Sequence, residues 1–202
     1  MWCLSKDPQI SGSVAHFPGQ FGVDLDVHVL SPANPQFVRD HWDWKQQIYV
    51  WGNFGEEQHG VHVRKQGSAE DFFTVLYPRA AGQGPAQVAS LAEGRGVAVT
   101  HTEGQDVVLL SSGKPAAVTT DEVQLSGEVA FARRYTRGVL RLAVIKGAGA
   151  SAAESPWSLR SDGPVALSIQ GTTVEGESSG AAHAAQIALP PAYGAALATL
   201  DG

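Results

Sequence analysis

Phe21-Gly22-Val23-Asp24-Leu25-Asp26-Val27-His28-Val29 is the stretch that decides the fold class. Its odd positions are Phe21, Val23, Leu25, Val27 and Val29, and its even positions are Gly22, Asp24, Asp26 and His28. A period of two held this long places the apolar side chains on one face of an extended chain and the polar ones on the other. That is a β-strand with one buried face, and no helix accommodates it. A break rich in proline follows at Ser31 to Pro35, where a ladder is not expected to continue.

Working outward, the same kind of reading recurs. Strands are expected at Gln47–Trp51, at Gln58–Lys65 after the turn residues Gly52, Asn53 and Gly55, and at Phe72–Tyr77. This last run is dense in apolar residues, reads as a central strand, and is expected to stop at Pro78. Beyond the loop at Gly82–Pro85 come short segments divided by glycine-bearing turns: Gln87–Leu91, Val97–His101 and Asp106–Leu110. Gly127–Tyr135 and Gly138–Ile145 read as one hairpin closed by Thr136-Arg137-Gly138, with glycine supplying a positive φ. Gly147–Ser155 reads as a small-residue loop, and Ser158–Leu159, Val165–Ile169, Thr172–Val174 and Ala184–Leu189 as the last strands. Strands at this spacing, with 23 glycines and 11 prolines as punctuation, predict an all-β, antiparallel, multi-stranded β-sandwich with little or no helix. Residues 1–202 are expected to form a single domain, with a weaker boundary near 78–86.

The bulk properties narrow the function classes. An apolar fraction of 43% and a charged fraction of 17% belong to a globular chain. The net charge of −6 lacks the basic footprint of non-specific nucleic-acid binding, so no nucleic-acid partner is expected. The same charge repels a polyanionic glycan mildly unless a local basic patch overrides the average. No run of about 18 apolar residues is present, so no membrane span is expected. Met1 to Gln9 lacks the basic start and apolar core of a signal peptide. The single cysteine, Cys3, closes no internal disulfide and makes no metal cluster, and reads as packing.

Four groups could carry chemistry. Asp24, Asp26 and His28 share one strand face and could hold a cation or hydrogen-bond sugar hydroxyls, but the alternation already explains them as a solvated polar face opposite the apolar one, and that is the reading preferred. His59 and His62 lie on opposite faces of one strand, which argues against a joint metal site, and no metal is expected. Trp42, Trp44, Tyr49, Trp51 and Phe54, with Asp40 and Asp43 among them, offer flat rings for stacking against sugars, or core material. Arg133, Arg134 and Arg137, and separately Arg64 and Lys65, could dock an acidic sugar through planar guanidinium groups, or simply keep a hairpin tip soluble. A nucleophile elbow, a phosphate-binding glycine loop and a spaced Cys/His zinc pattern are all missing.

Several phrases taken in order carry a resemblance. They are Trp2-Cys3-Leu4, the strand from Phe21 to Pro32, a Trp-rich segment, Asp71-Phe-Phe-Thr-Val-Leu-Tyr-Pro-Arg79, Asp106-Val-Val-Leu-Leu-Ser111 and Leu125-Ser-Gly-Glu-Val-Ala-Phe-Ala-Arg133. Together, over roughly residues 1 to 145, they resemble the C-terminal β-sandwich of heparinase II/III-type, alginate-lyase-like polysaccharide lyases. The resemblance implies a supersandwich-like domain cut from a longer secreted or periplasmic enzyme whose (α/α) toroid lies upstream. It implies an acidic polysaccharide or oligosaccharide as partner, cleaved by β-elimination. The family's zinc site and its catalytic Tyr and His have no matching motif here, so no cofactor and no catalytic residue is carried onto this chain. The expected role is a non-catalytic sandwich supporting the substrate cleft, with Trp42, Trp44, Trp51, Asp24, Asp26, His28 and Arg133 as candidate substrate contacts. A free-standing carbohydrate-binding module is the alternative. So is a small self-contained lyase using a tyrosine such as Tyr49 or Tyr135 with His28.

Overall fold

A computed structural model describes residues 1–43, 57–67, 71–152, 157–188 and 190. Every strand pairing among them is antiparallel, and the one helical element is a single 3₁₀ turn at Ala92–Gly94. The chain is an all-β, sandwich-like fold that divides into two compact units, Met1–Pro85 and Ala86–Gly202.

The first unit holds β1 (Trp2–Leu4), β2 (Gln9–Ser11), β3 (Val14–Phe17), β4 (Val23–Ser31), β5 (Gln36–Asp43), β6 (Glu57–Arg64) and β7 (Phe73–Ala80). Two sheets form, ordered β2-β3-β4-β7 and β1-β6-β5. The alternation read at residues 21–29 holds for the inward face from Leu25 to Val29, whereas Phe21 lies before the strand and Phe21 and Val23, also expected on the buried face, are exposed. Val27 of β4 turns inward with Ala15 and Phe17 of β3 and meets Val61 of β6, flanked by Cys3, Ile10, Leu25 and Phe37. Cys3 is therefore a packing residue of this core, and burial pushes its thiol pKa up.

The second unit holds β8 (Gln87–Leu91), β9 (Gly96–His101), β10 (Gly104–Leu110), β11 (Ala116–Thr119), β12 (Val123–Gly127), β13 (Val129–Tyr135), β14 (Val139–Lys146), β15 (Ala148–Ala152), β16 (Ser158–Ser161), β17 (Val165–Gln170), β18 (Thr173–Ser178) and β19 (Ala185–Ala188). A seven-stranded sheet, β18-β17-β14-β13-β10-β9-β8, faces a five-stranded one, β11-β12-β15-β16-β19. Between them lies one apolar core, with Leu109, Leu142 and Val144 from the larger sheet against Leu125, Leu159 and Trp157 from the other side. Alternate residues of each strand supply it, as in any two-layer sandwich. The hairpin expected at Thr136-Arg137-Gly138 joins β13 to β14, and Gly138 takes φ +78° there.

Two further sequence expectations need correction. Residues 147–155 were expected to be a loop, yet Ala148–Ala152 is a strand hydrogen-bonded on both sides, to β12 and to β16. Its side chains are small because Ala150 and Ala152 lie in the tightly packed core. Pro78 does not stop its strand, which runs from Phe73 to Ala80. It is tolerated because, among the described residues, β7 pairs only with β4 and stands at the edge of its sheet, not at the centre, so one side of its backbone needs no donor there. The proline-rich break lies where it is expected, with no strand at 32–35, and β5 follows it at once as a strand the sequence reading does not place. The strand expected at Gln47–Trp51 lies outside the described residues.

Candidate functional site

The Asp24, Asp26 and His28 face of β4 is not the solvated face its alternation suggests. Asp26 is 3% exposed and Asp24 is 9% exposed. Antiparallel register explains what covers them: Asp24 stands opposite Arg79 of β7, and Asp26 stands between His16 of β3 and Tyr77 of β7. Arg79 donates from Nε to Asp26 at 2.8 Å and from Nη1 to Asp24 at 3.3 Å, and its Nη1 also donates to the carbonyl of Gln83. The Gly19 amide donates to Asp24 at 3.1 Å. His16 Nδ1 lies 2.6 Å from Asp26 Oδ1, a separation that needs a proton between the two atoms. Burial pushes the Asp26 pKa up, but the hydrogen bonds from Arg79 and His16 outweigh it and hold the carboxyl below its ordinary range. His28 is the odd member. Burial pushes its pKa down against the pull of Asp26, and its Nε2 is shielded without a hydrogen-bond partner. The cluster is thus an ion network that ties β3, β4 and β7 together, with its charges already answered internally.

Arg133 is similarly engaged. On the outer face of the seven-stranded sheet it donates to both oxygens of Asp106, from Nη2 at 2.5 Å and from Nε, and from Nη1 to the Tyr135 hydroxyl at 2.6 Å. The hydrogen bonds to Asp106 hold its pKa above the ordinary range. His101 joins the group, its Nε2 3.7 Å from Asp106 and its Nδ1 accepting from the Glu103 amide at 3.3 Å. A Tyr, a His and an Arg therefore do converge, but both imidazole nitrogens and the phenol are turned toward partners of the chain itself.

The open surface is the outer face of β1-β6-β5. Its register sets out a grid: Trp2 opposite Gly60 opposite Asp40, Leu4 opposite Gln58 opposite Trp42, and His62 opposite Val38. Trp2 is 45% exposed and Trp42 is 41% exposed, and Leu4 and Val38 are exposed beside them. Gly60 occupies the centre. A Cβ there would meet Cδ2, Cε2 and Cε3 of Trp2 at 2.9, 3.0 and 3.0 Å. Three contiguous ring atoms can be met at nearly equal distance only from above the ring plane. The indole of Trp2 therefore lies flat on the glycine, one face down on the sheet and the other outward. His62 packs edge-on against it, with ring centres 6.3 Å apart and planes at 89°, and its Nε2 lies 3.5 Å from Asp40. With strands about 4.8 Å apart and a rise of roughly 3.4 Å per residue, the grid is wide enough for a short oligosaccharide. It offers two rings for stacking, with Asp40, Gln58 and His62 as hydrogen-bonding groups around them.

Of the residues singled out from sequence, Trp42 is on this face, while Asp24, Asp26, His28 and Arg133 are in the two internal networks. Trp44, Tyr49, Trp51 and Phe54 lie outside the described residues. His59 and His62 do face opposite ways: His59 is buried and stacked on His41 at 4.5 Å, and His62 is on the open face. Trp2, His16 and Arg79 were missed. The available signal for Trp2 was Gly60 inside a strand, a mark of close approach by another group. Set against known protein families, curated proteins and solved structures, the chain matches none of them.

Proposed function

We propose that this chain is a non-catalytic β-sandwich that holds an acidic polysaccharide for a lyase acting by β-elimination, and that the glycan lies on the outer face of β1-β6-β5. The observation that carries this reading is the Trp2 indole laid flat over Gly60 with its outer face free, on the same surface as the exposed Trp42. A buried core residue has no reason to present a ring this way, whereas stacking on a pyranose requires it. Asp40, Gln58 and His62 stand where sugar hydroxyls would need partners. The lyase context rests on the family resemblance of the sequence phrases. The absence of catalysis in the isolated chain rests on Tyr135 and His101, which are engaged by Arg133, Asp106 and Glu103 and so are poorly placed as base and acid.

The experiment is a paired assay of the full chain on alginate, heparin, chondroitin and ulvan. Ultraviolet absorbance follows the unsaturated uronate that β-elimination would release, and affinity electrophoresis follows binding. Retardation by at least one polymer without any rise in absorbance is the expected result. A rise in absorbance would replace this reading with a self-contained lyase, and failure to bind any polymer would remove it.

A further inference from the structure

The outer face of the seven-stranded sheet carries a cation that the Arg133 network does not use. Register sets one row across it: Asp106, Arg133, Arg141, Ser168 and Glu175 on successive strands. Like charges directly opposite on neighbouring strands destabilise a sheet. Arg133 is answered by Asp106, but Arg141 is exposed and has no hydrogen bond or ion pair among the described residues. Its other neighbour is the neutral Ser168, which separates it from Glu175. Arg133 keeps donors to spare, since a guanidinium has five N–H groups and Asp106 and Tyr135 take three of them. Its guanidinium lies between two rings, 5.5 Å from the Phe131 centroid and 5.2 Å from that of Tyr135. On the β14 side of Phe131 the face is low, because the next two residues of its row are Ala143 and Ala166.

We infer that this face is a second glycan contact that reads the carboxylate of a uronate, with Arg141 as principal donor and Arg133 as auxiliary. The inference rests on the acidic-glycan reading above. A planar carboxylate accepts two parallel N–H bonds from a guanidinium, and a ring attached to it would fall against Tyr135 or Phe131. The row as a whole is balanced, with Arg133 and Arg141 against Asp106 and Glu175, so in a chain of net charge −6 the attraction for a carboxylate comes from the single guanidinium of Arg141, which Ser168 holds apart from Glu175.

The test measures binding of the full chain to alginate, to dextran sulfate and to neutral dextran, for wild type, Arg141→Gln and Arg160→Gln. Arg160 is exposed on β16 of the other sheet, and its substitution removes the same charge away from this face. The expected result is roughly tenfold weaker alginate binding for R141Q, the scale of one lost charged hydrogen-bonding group, with R160Q unchanged. Equal losses in R141Q and R160Q would reduce the effect to net charge and overturn the site. An equal dependence of dextran sulfate on Arg141 would overturn the assignment to carboxylate. Alginate binding that Trp2→Ala abolishes and R141Q leaves intact would sink this contact alone. No wild-type binding to any glycan would remove the Trp2 face as well.

Discussion

Replacing Arg79 by methionine keeps the aliphatic stem and removes the one guanidinium shared by Asp26 and Asp24. The side chains of Asp24, Asp26 and Arg79 are only 12%, 5% and 11% exposed, so water does not step in easily. Breaking a buried pair by removing one partner costs about 3–5 kcal/mol, because the other charge stays behind uncompensated. Here two charges stay behind, on neighbouring positions of one strand face, so the upper part of that range is expected. Such a loss approaches the whole stability of a small domain. The assay is urea unfolding followed by far-UV circular dichroism and tryptophan fluorescence, with Asp26→Asn and the double variant completing a cycle. The double variant should recover part of the loss, since it no longer strands a charge at residue 26. The pH dependence has a definite sign. In the wild type the folded pKa of Asp26 lies below the ordinary 3.8, so its contribution is present above that value and lost as pH falls through the lower folded one. With Arg79 gone only His16 opposes the effect of burial, and this acid-side loss shrinks. An R79M variant within about 1 kcal/mol of wild type would refute the reasoning, because that is the range of an exposed pair.

Two other outcomes follow from the same geometry. Gly60→Val places branched carbon where Trp2 already lies at 2.9–3.0 Å, so the indole must lift. Glycan affinity should fall roughly tenfold, the scale of one lost aromatic contact, while the circular dichroism spectrum stays that of the wild type. His28 should titrate below 6.5 by NMR, because burial disfavours its charged form. The stability it contributes is therefore present above pH 6.5 and lost as pH falls through the lower folded value, and His28→Gln should flatten that slope.

The alternation at residues 21–29 made β4 legible, and its inward face from Leu25 onward, because a period of two is a local property of the chain; it could not show that Phe21 and Val23 would stand exposed. It could not show that the polar face would also be covered. The residue that closes it, Arg79, lies 53 positions from Asp26 and 55 from Asp24. Strands β1, β2 and β3 have three or four residues each, too few for a period to register. Ala148–Ala152 has little strand propensity, and its conformation comes from two neighbours that supply its hydrogen bonds. Trp42 drew notice through its local density of aromatics. Trp2 has an equal part in the open face but stands alone in sequence, and only pairing with Gly60 gives its ring an orientation.

The most direct test of the account is isothermal titration of the full chain with the glycan it retains, comparing wild type, Trp2→Ala and Trp42→Ala, with urea midpoints measured alongside. Affinity that falls roughly tenfold or more in each variant while the midpoint holds is the predicted result, since both rings are exposed and neither is needed for the core. Variants that bind as tightly as the wild type would contradict it, because the glycan would then be held by some surface other than the β1-β6-β5 face.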